Sequence, residues 1–225
     1  LRCLRAFALA AVLVAPLAVV AGCSVFGAIA SKLPEPEVDA AYKGLAGQNV
    51  AVMVWADPGV RLDFERLQLD TAASIQAKLI QARDVKIKEL ENASFPILPE
   101  SIVRYQREHP ELDAVPAIEI APRLRSPNNV PVSRLIYVEF HKFGTRADQS
   151  IDLWRGGAEV TIRVFEVKDG KATIGFEQDE VRAYYPKNAP PEGMPSGNDY
   201  KIYVGTVDAI TTEVCKRFVP HPADD

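Results

Sequence analysis

Three cysteines, three histidines and two methionines are few for 225 residues, and the chain carries no excess of positive charge. A disulfide-stapled miniprotein is excluded by the cysteine count. His109, His141 and His221 are too dispersed for a local metal motif. The net charge is −4, from 26 Lys+Arg against 30 Asp+Glu. That balance argues against general nucleic-acid binding, which needs basic surface to neutralise phosphates. Catalytic signatures are missing as well. There is no P-loop, no glycine fingerprint after the first strand, no His-Glu-x-x-His and no Cys-x-x-Cys. The stretch Gly193-Met-Pro-Ser-Gly197 places its serine one position too late for a nucleophile elbow. No enzyme and no cofactor is implied. What is present, 48% apolar and 25% charged residues, is the composition of an ordinary globular domain.

The N-terminus is unusual. Arg2 and Arg5 precede fourteen residues, Phe7–Val20, that are apolar throughout, and Val20-Ala21-Gly22-Cys23 follows. A short basic start, an apolar run of this length and small residues before a cut are the parts of a secretory signal. Val-Ala-Gly-Cys resembles the lipobox of bacterial lipoproteins, with Val20 where that family more often has Leu. The resemblance implies cleavage between Gly22 and Cys23, a diacylglycerol thioether on Cys23, and two or three acyl chains in all. One chain, at ~0.8 kcal/mol per buried CH₂, holds a protein only marginally; several hold it permanently. The competing reading is an uncut anchor, because no charge occurs from Ala6 to Ser31, enough to span a bilayer. Pro16, Gly22 and Gly27 oppose it. Removing 22 residues with Arg2 and Arg5 leaves 203 residues and shifts the net charge from −4 to −6. Cys3 departs, Cys23 is alkylated, and Cys215 is left as a small buried hydrophobe. Ser24 after the lipidated cysteine goes, by the same resemblance, with the outer membrane and a domain facing the periplasm.

Residues 1–22 are thus a signal peptide, 23–48 a lipid anchor and tether, 49–219 one globular domain and 220–225 a tail. Ser31–Asp39 has two prolines and alternating charge, as a tether should. Val50–Trp55 is apolar on both faces, as an interior strand covered on both sides would be. Asp63 is the expected N-cap of a helix to Ala82, with Phe64, Leu67, Ile75 and Leu79 in one stripe and Thr71 in its gap. Val85–Leu90 reads as a strand, which completes a βαβ start. Pro99–Glu108 reads as a helix. Residues 109–132, with five prolines, read as an irregular loop that is either functional or a silent insertion. Leu135–Phe140 and Glu159–Lys168 are strands, and Asp169-Gly170 turns the chain into Ala172–Tyr185, with a bulge near Gln178-Asp179. A second Pro-rich loop, 186–197, precedes a last helix capped by Asn198 or Asp199, with Tyr200, Tyr203, Val204, Val207, Val214 and Phe218 as its apolar stripe. The expected fold is α/β (α+β): one mixed sheet with a βαβ start, a long Asp-Gly hairpin and a C-terminal helix packed on the sheet.

Candidate functional groups are sparse. His141 reads as a solvated strand-end histidine. Glu177, Asp179 and Glu180 read as a solvated edge, because strand geometry scatters their carboxylates over two faces. Trp154, Tyr184, Tyr185, Tyr200 and Tyr203 either pack under the last helix or meet as an aromatic platform for a partner. Four segments, 49–57, 63–91, 135–144 and 158–177, are similar in pattern to a recurrent envelope-lipoprotein domain. That domain occurs in the curli-secretion channel lipoprotein, in lipoprotein activators of penicillin-binding proteins and in lipid-transport auxiliaries. This sequence departs from them in its Pro-rich middle and in having no amphipathic pore-forming hairpin. The resemblance implies a non-catalytic accessory protein of the cell envelope, held to a membrane through Cys23 and engaging a protein partner. Two alternatives stand beside it. One is a lipid or small-molecule carrier with loops 109–132 and 186–197 closing over a pocket. The other is an envelope enzyme built from dispersed residues such as His141 with Glu139 or Asp148.

Overall fold

The computed structural model describes residues 37–148 and 150–223. The chain divides into two compact units. Of the small one, Leu1–Val38 with Pro222–Asp225, residues 37, 38, 222 and 223 are described. The large one, Asp39–His221, is an α/β unit built on a four-stranded mixed sheet.

Strand β1, Val50–Ala56, is buried at every position. Its two faces serve two apolar clusters: Val50, Val52, Val54 and Ala56 in one, Ala51, Met53 and Trp55 in the other. That is why the run is apolar on both sides. β1 pairs in parallel with β2, Arg134–Arg146; β2 pairs antiparallel with β3, Trp154–Lys168; and β3 pairs antiparallel with β4, Lys171–Tyr185. Asp169 and Gly170 both have positive φ, 51° and 74°, as a two-residue hairpin turn matched to strand twist requires.

The βαβ start takes a different course from the one expected. Pro58 opens a separate short helix, α1, Pro58–Asp63, so Asp63 ends a helix instead of capping one. Phe64 leaves the helical path to pack edge-on against Phe143, with ring centroids 4.8 Å apart. Helix α2 then runs from Leu67 to Asp84. Thr71 is buried in its inner stripe as anticipated. Val85–Leu90 is not a strand. Lys86 turns left-handed (φ 66°), Val85 is exposed, and Lys88–Leu90 forms a 3₁₀ turn that buries only Leu90. The alternation of Val85 and Ile87 was too short to outweigh that reversal. The parallel neighbour of β1 is instead β2, and what lies beside β1 near Asn49 is a single parallel bridge to Ser94.

The Pro-rich segment after helix α3, Pro99–Glu108, is a covering layer. It contains two 3₁₀ turns and the short helix α4, Ala117–Ile120. Leu112, Ile120, Ala121, Leu124 and Val132 from it pack with α3 against the second face of the sheet. The last helix, α5, Asp199–Cys215, lies with α2 on the first face. Asn198 caps α5, its Oδ1 accepting from the Lys201 amide.

The unit also reaches upstream of Asn49, into the segment read as tether. Tyr42 and Leu45 are buried, and the Tyr42 hydroxyl donates to Glu166 (2.7 Å) while accepting from Arg134 (2.9 Å). Burial, then the bond to Glu166, pushes that phenol up to about 12.

Candidate functional site

Helix α5 lies unusually close to the sheet. Ile202, Thr206, Ile210 and Val214 form its inner stripe, and Gly156 of β3 faces Thr206 and Ile202 so tightly that a Cβ there would run into the threonine hydroxyl. Tyr200 and Val204, read as part of the inner stripe, lie on the outside. They are 76% and 44% exposed.

Between α5 and the start of α2 these side chains border an open groove of about 830 Å³. Phe64, Tyr203, Val204 and Val207 give it an apolar floor, with Tyr200 standing at the entrance. Phe64 and Tyr203 stack with centroids 6.0 Å apart, and Phe143 meets Tyr203 edge-on at 5.5 Å. The Tyr203 hydroxyl donates to Asp70 Oδ2 (2.9 Å), whose other oxygen accepts from Arg66 (3.2 Å). Burial, and then the carboxylate, raise the Tyr203 pKa well above the ordinary phenol range. Four carboxylates line the groove, Asp63, Glu65, Asp70 and Asp208, against one cation, Arg66. Asp208 is itself paired with Lys78 at 2.8 Å. Chemically this is an apolar trough with an acidic rim. It suits a segment that presents apolar side chains inward and positive charge outward.

The groups singled out in the sequence fall elsewhere. Gly22 and Cys23 lie outside the described residues. His141 is the extra residue of a bulge inside β2, not a strand end, because pairing resumes at Lys142 and continues to Arg146. A second bulge places Asp179 and Glu180 opposite Thr161. The two bulges flank that threonine. Its hydroxyl proton goes to Asp179 (2.9 Å), so the oxygen accepts from His141 Nε2–H (2.9 Å). Glu139 is engaged by Arg163 (2.7 Å), which also holds Glu177 (2.6 Å). Asp148 shares a 310 Å³ groove with His141, while Glu139 borders a different one. Glu180 pairs with Arg182 (3.3 Å) on the same edge strand. Among the described residues no cluster of three or more His, Cys, Asp or Glu side chains is arranged to hold a metal.

The five aromatics do not form one platform. Tyr200 and Tyr203 belong to the groove. Trp154 lies under the Arg146 guanidinium at 3.1 Å, Tyr184 beside Arg155 at 4.4 Å, and Tyr185 packs on Gly205. Among the described residues, loops 109–132 and 186–197 border different grooves. The first covers the sheet, while the second returns to β3 through a Trp154–Met194 bridge and an Arg155 bond to the Pro191 carbonyl. Cys215 is buried, and burial pushes its thiol up to about 12. Such a thiol is a packing residue.

The groove itself was not read from the sequence. Its trace was there: α5 carries more apolar residues than one buried stripe can use, with Tyr200 and Val204 an i, i+4 pair offset from Ile202, Thr206 and Ile210.

No family model matches the chain, and no curated protein matches it. Several solved structures are similar. Lipoprotein GNA1162 from Neisseria meningitidis shares 12% identity over 69% of this chain and 90% of its own, with a TM-score of 0.40. The hypothetical protein CT253 from Chlamydia trachomatis shares 15% identity over 75% and 98%, with a TM-score of 0.35. A subunit of the PelC dodecamer from Paraburkholderia phytofirmans shares 8% identity over 83% and 99%, with a TM-score of 0.39.

Proposed function

We propose that this protein is a lipid-anchored, non-catalytic accessory protein of the bacterial cell envelope, which holds a partner protein at the membrane surface in the groove between α2 and α5. The observation that carries the reading is the groove: an apolar floor left open beside exposed Tyr200 and Val204, with four carboxylates around it. Large aromatic side chains that remain exposed next to an apolar trough are the usual anchors of protein interfaces. The acidic rim selects a partner segment that is apolar on one side and basic on the other. The polar groups most suited to chemistry are committed to one another, His141 to Thr161 and Glu139 to Arg163, which supports a binding role over a catalytic one. Tethering through Cys23 keeps the domain in the partner's layer, so a modest affinity suffices.

The test is photo-crosslinking in the native host, with a crosslinking side chain at Tyr200 or Val204 and a control at Glu100 on α3. The reading expects the groove positions to capture one protein that the control does not. Capture should weaken when Asp63 and Glu65 are both changed to Lys. Cys23→Ala should release the folded domain from membrane fractions or leave an uncut precursor. Equal yields from groove and control, or a Cys23→Ala protein that processes and fractionates like the parent, would overturn the proposal.

A further inference from the structure

We infer that a groove on the second face of the sheet binds a proline-rich, uncharged segment of a partner protein in the polyproline II conformation. It lies on the opposite face from the α2–α5 groove and shares no residue with it.

The groove, of about 380 Å³, opens between residues 112–118 of the covering layer and the strands beneath. Trp55, Tyr137 and Phe165 reach it from three neighbouring strands. Tyr137 is 6% exposed and Trp55 9%. A phenol or an indole buried to that degree usually finds a hydrogen-bond partner. Here neither the Tyr137 hydroxyl nor Trp55 Nε1 has one among the described residues, and neither atom is sealed inside the protein. Both meet the groove with a proton to donate. Burial raises the Tyr137 phenol well above its ordinary range, so it remains a donor far into alkali. The Arg61 guanidinium, 4.9 Å from the Trp55 ring centroid, covers one face of the indole and holds it in place.

Strand β4 is distorted in favour of this groove. Ile174 and Phe176 are two residues apart and would share one face of a regular strand. Ile174 pairs with Phe165 and Phe176 with Val164, so Gly175 is an extra residue and the two side chains go to opposite faces. Phe176 packs into the first apolar cluster, whereas Ile174 lines the groove and stays 51% exposed. The bulge thus turns toward the groove an apolar side chain that the chain itself leaves half uncovered. Val115, Pro116 and Ile118 complete the apolar wall.

The charges around the groove are already matched. Asp113 is held by Arg61 (2.8 Å), and Arg163 bridges Glu139 (2.7 Å) and Glu177 (2.6 Å). What remains without a partner is a pair of neutral donors. The complementary occupant is apolar, uncharged and supplied with acceptors rather than donors. A proline-rich segment has that chemistry: its carbonyls accept, its prolines carry no N–H, and its rings are apolar. Aromatic-lined grooves take such segments because the polyproline helix is formed before binding and little entropy is lost.

The probe is decaproline, compared with a Gly-Ser decapeptide and with chitotriose, each titrated into the full lipidated chain in detergent, labelled with nitrogen-15. The chain has two indole N–H signals, from Trp55 and Trp154, told apart in a Trp154→Phe variant. Decaproline should move the Trp55 signal downfield and leave that of Trp154 in place, with saturation below about 1 mM. Tyr137→Phe should weaken binding about fivefold without lowering the melting temperature, because that hydroxyl bonds nothing in the described protein. Ile174→Ser should weaken it too, with an unchanged circular dichroism spectrum. An equal response to the Gly-Ser peptide, a Trp55 signal unmoved up to about 1 mM, or a Tyr137→Phe variant that binds like the parent would each overturn the inference. So would a Trp55 shift with chitotriose alone, which would assign the groove to a saccharide. A shift that follows protein concentration without peptide would overturn it in favour of a second copy of this chain. Crosslinking at Tyr200 reports on the other groove, so each reading can fail without the other.

Discussion

The hydroxyl of Tyr203 on α5 donates to Asp70 on α2 across 2.9 Å, tying the two helices together under the candidate binding groove. Asp70 keeps Arg66 as a second partner when that bond is lost. Tyr203→Phe should therefore cost about 1 kcal/mol. The melting temperature should fall by roughly 2–4 °C, measured by circular dichroism. The stacked Phe64–Tyr203 ring pair stays intact in this variant, so a crosslinker at Tyr200 should still capture its partner.

Gly156 is a point of close approach between α5 and the sheet. Gly156→Ala puts a methyl into Thr206 and within 3.0 Å of Ile202. Overpacking of this kind costs about 1–3 kcal/mol. Thr206→Ala should recover part of that loss in the double variant, giving a non-zero coupling energy in a double-mutant cycle by urea unfolding. Additive effects would place the strain elsewhere.

The Val54 carbonyl is bonded by two glutamine amides from different helices. Gln68→Met or Gln106→Met alone leaves one donor in place. Together they leave a buried carbonyl unsatisfied on the edge of β1, and the double variant should lose more than the sum of the single variants, by about 1–3 kcal/mol. Chemical denaturation of all four proteins measures it.

Stability should decline in alkali. Burial raises the Cys215 thiol from 9.0 to about 12, and burial with the bond to Glu166 raises the Tyr42 phenol from 10.0 to about 12. Both groups are neutral when protonated, and both have folded values above their unfolded ones. Their contributions are complete below pH 9 and are lost as pH rises toward 12. Melting temperatures between pH 8 and pH 11 should fall, and Cys215→Ala should shallow that fall. A thiol reagent should leave the native protein unmodified at pH 8.

The sequence patterns were most legible where local chemistry and burial agreed. Val50–Ala56, Pro99–Glu108, the Asp169-Gly170 turn, the bulge at Asp179 and the Asn198 cap each carry their own cause in adjacent residues. Val85–Leu90 misled because the alternation of Val85 and Ile87, with Leu90 beyond it, fits a strand and the end of a helix equally well. Residues 109–132 misled differently. Five prolines suggested an uncommitted loop, but Leu112, Ile120 and Leu124 were spaced to reach the sheet from successive short turns. At the groove, Tyr200 and Val204 looked like core because an apolar residue on a helix says which face it shares, not what covers that face. The four carboxylates around it come from α1, the α1–α2 turn, α2 and α5, and only the fold brings them to one rim.

Val50 pairs with Arg134, 84 positions along the chain, whereas β3 and β4 are joined by a turn of two residues. Loop closure makes the distant pairing slow and the hairpin fast. The meander of β2, β3 and β4 should assemble first, with β1 added last as a bolt slid along its side. Until then the backbone edge of β2 that β1 covers would be an open strand edge. The glutamines that hold the Val54 carbonyl would then be the last clasp on the strand that covers this edge.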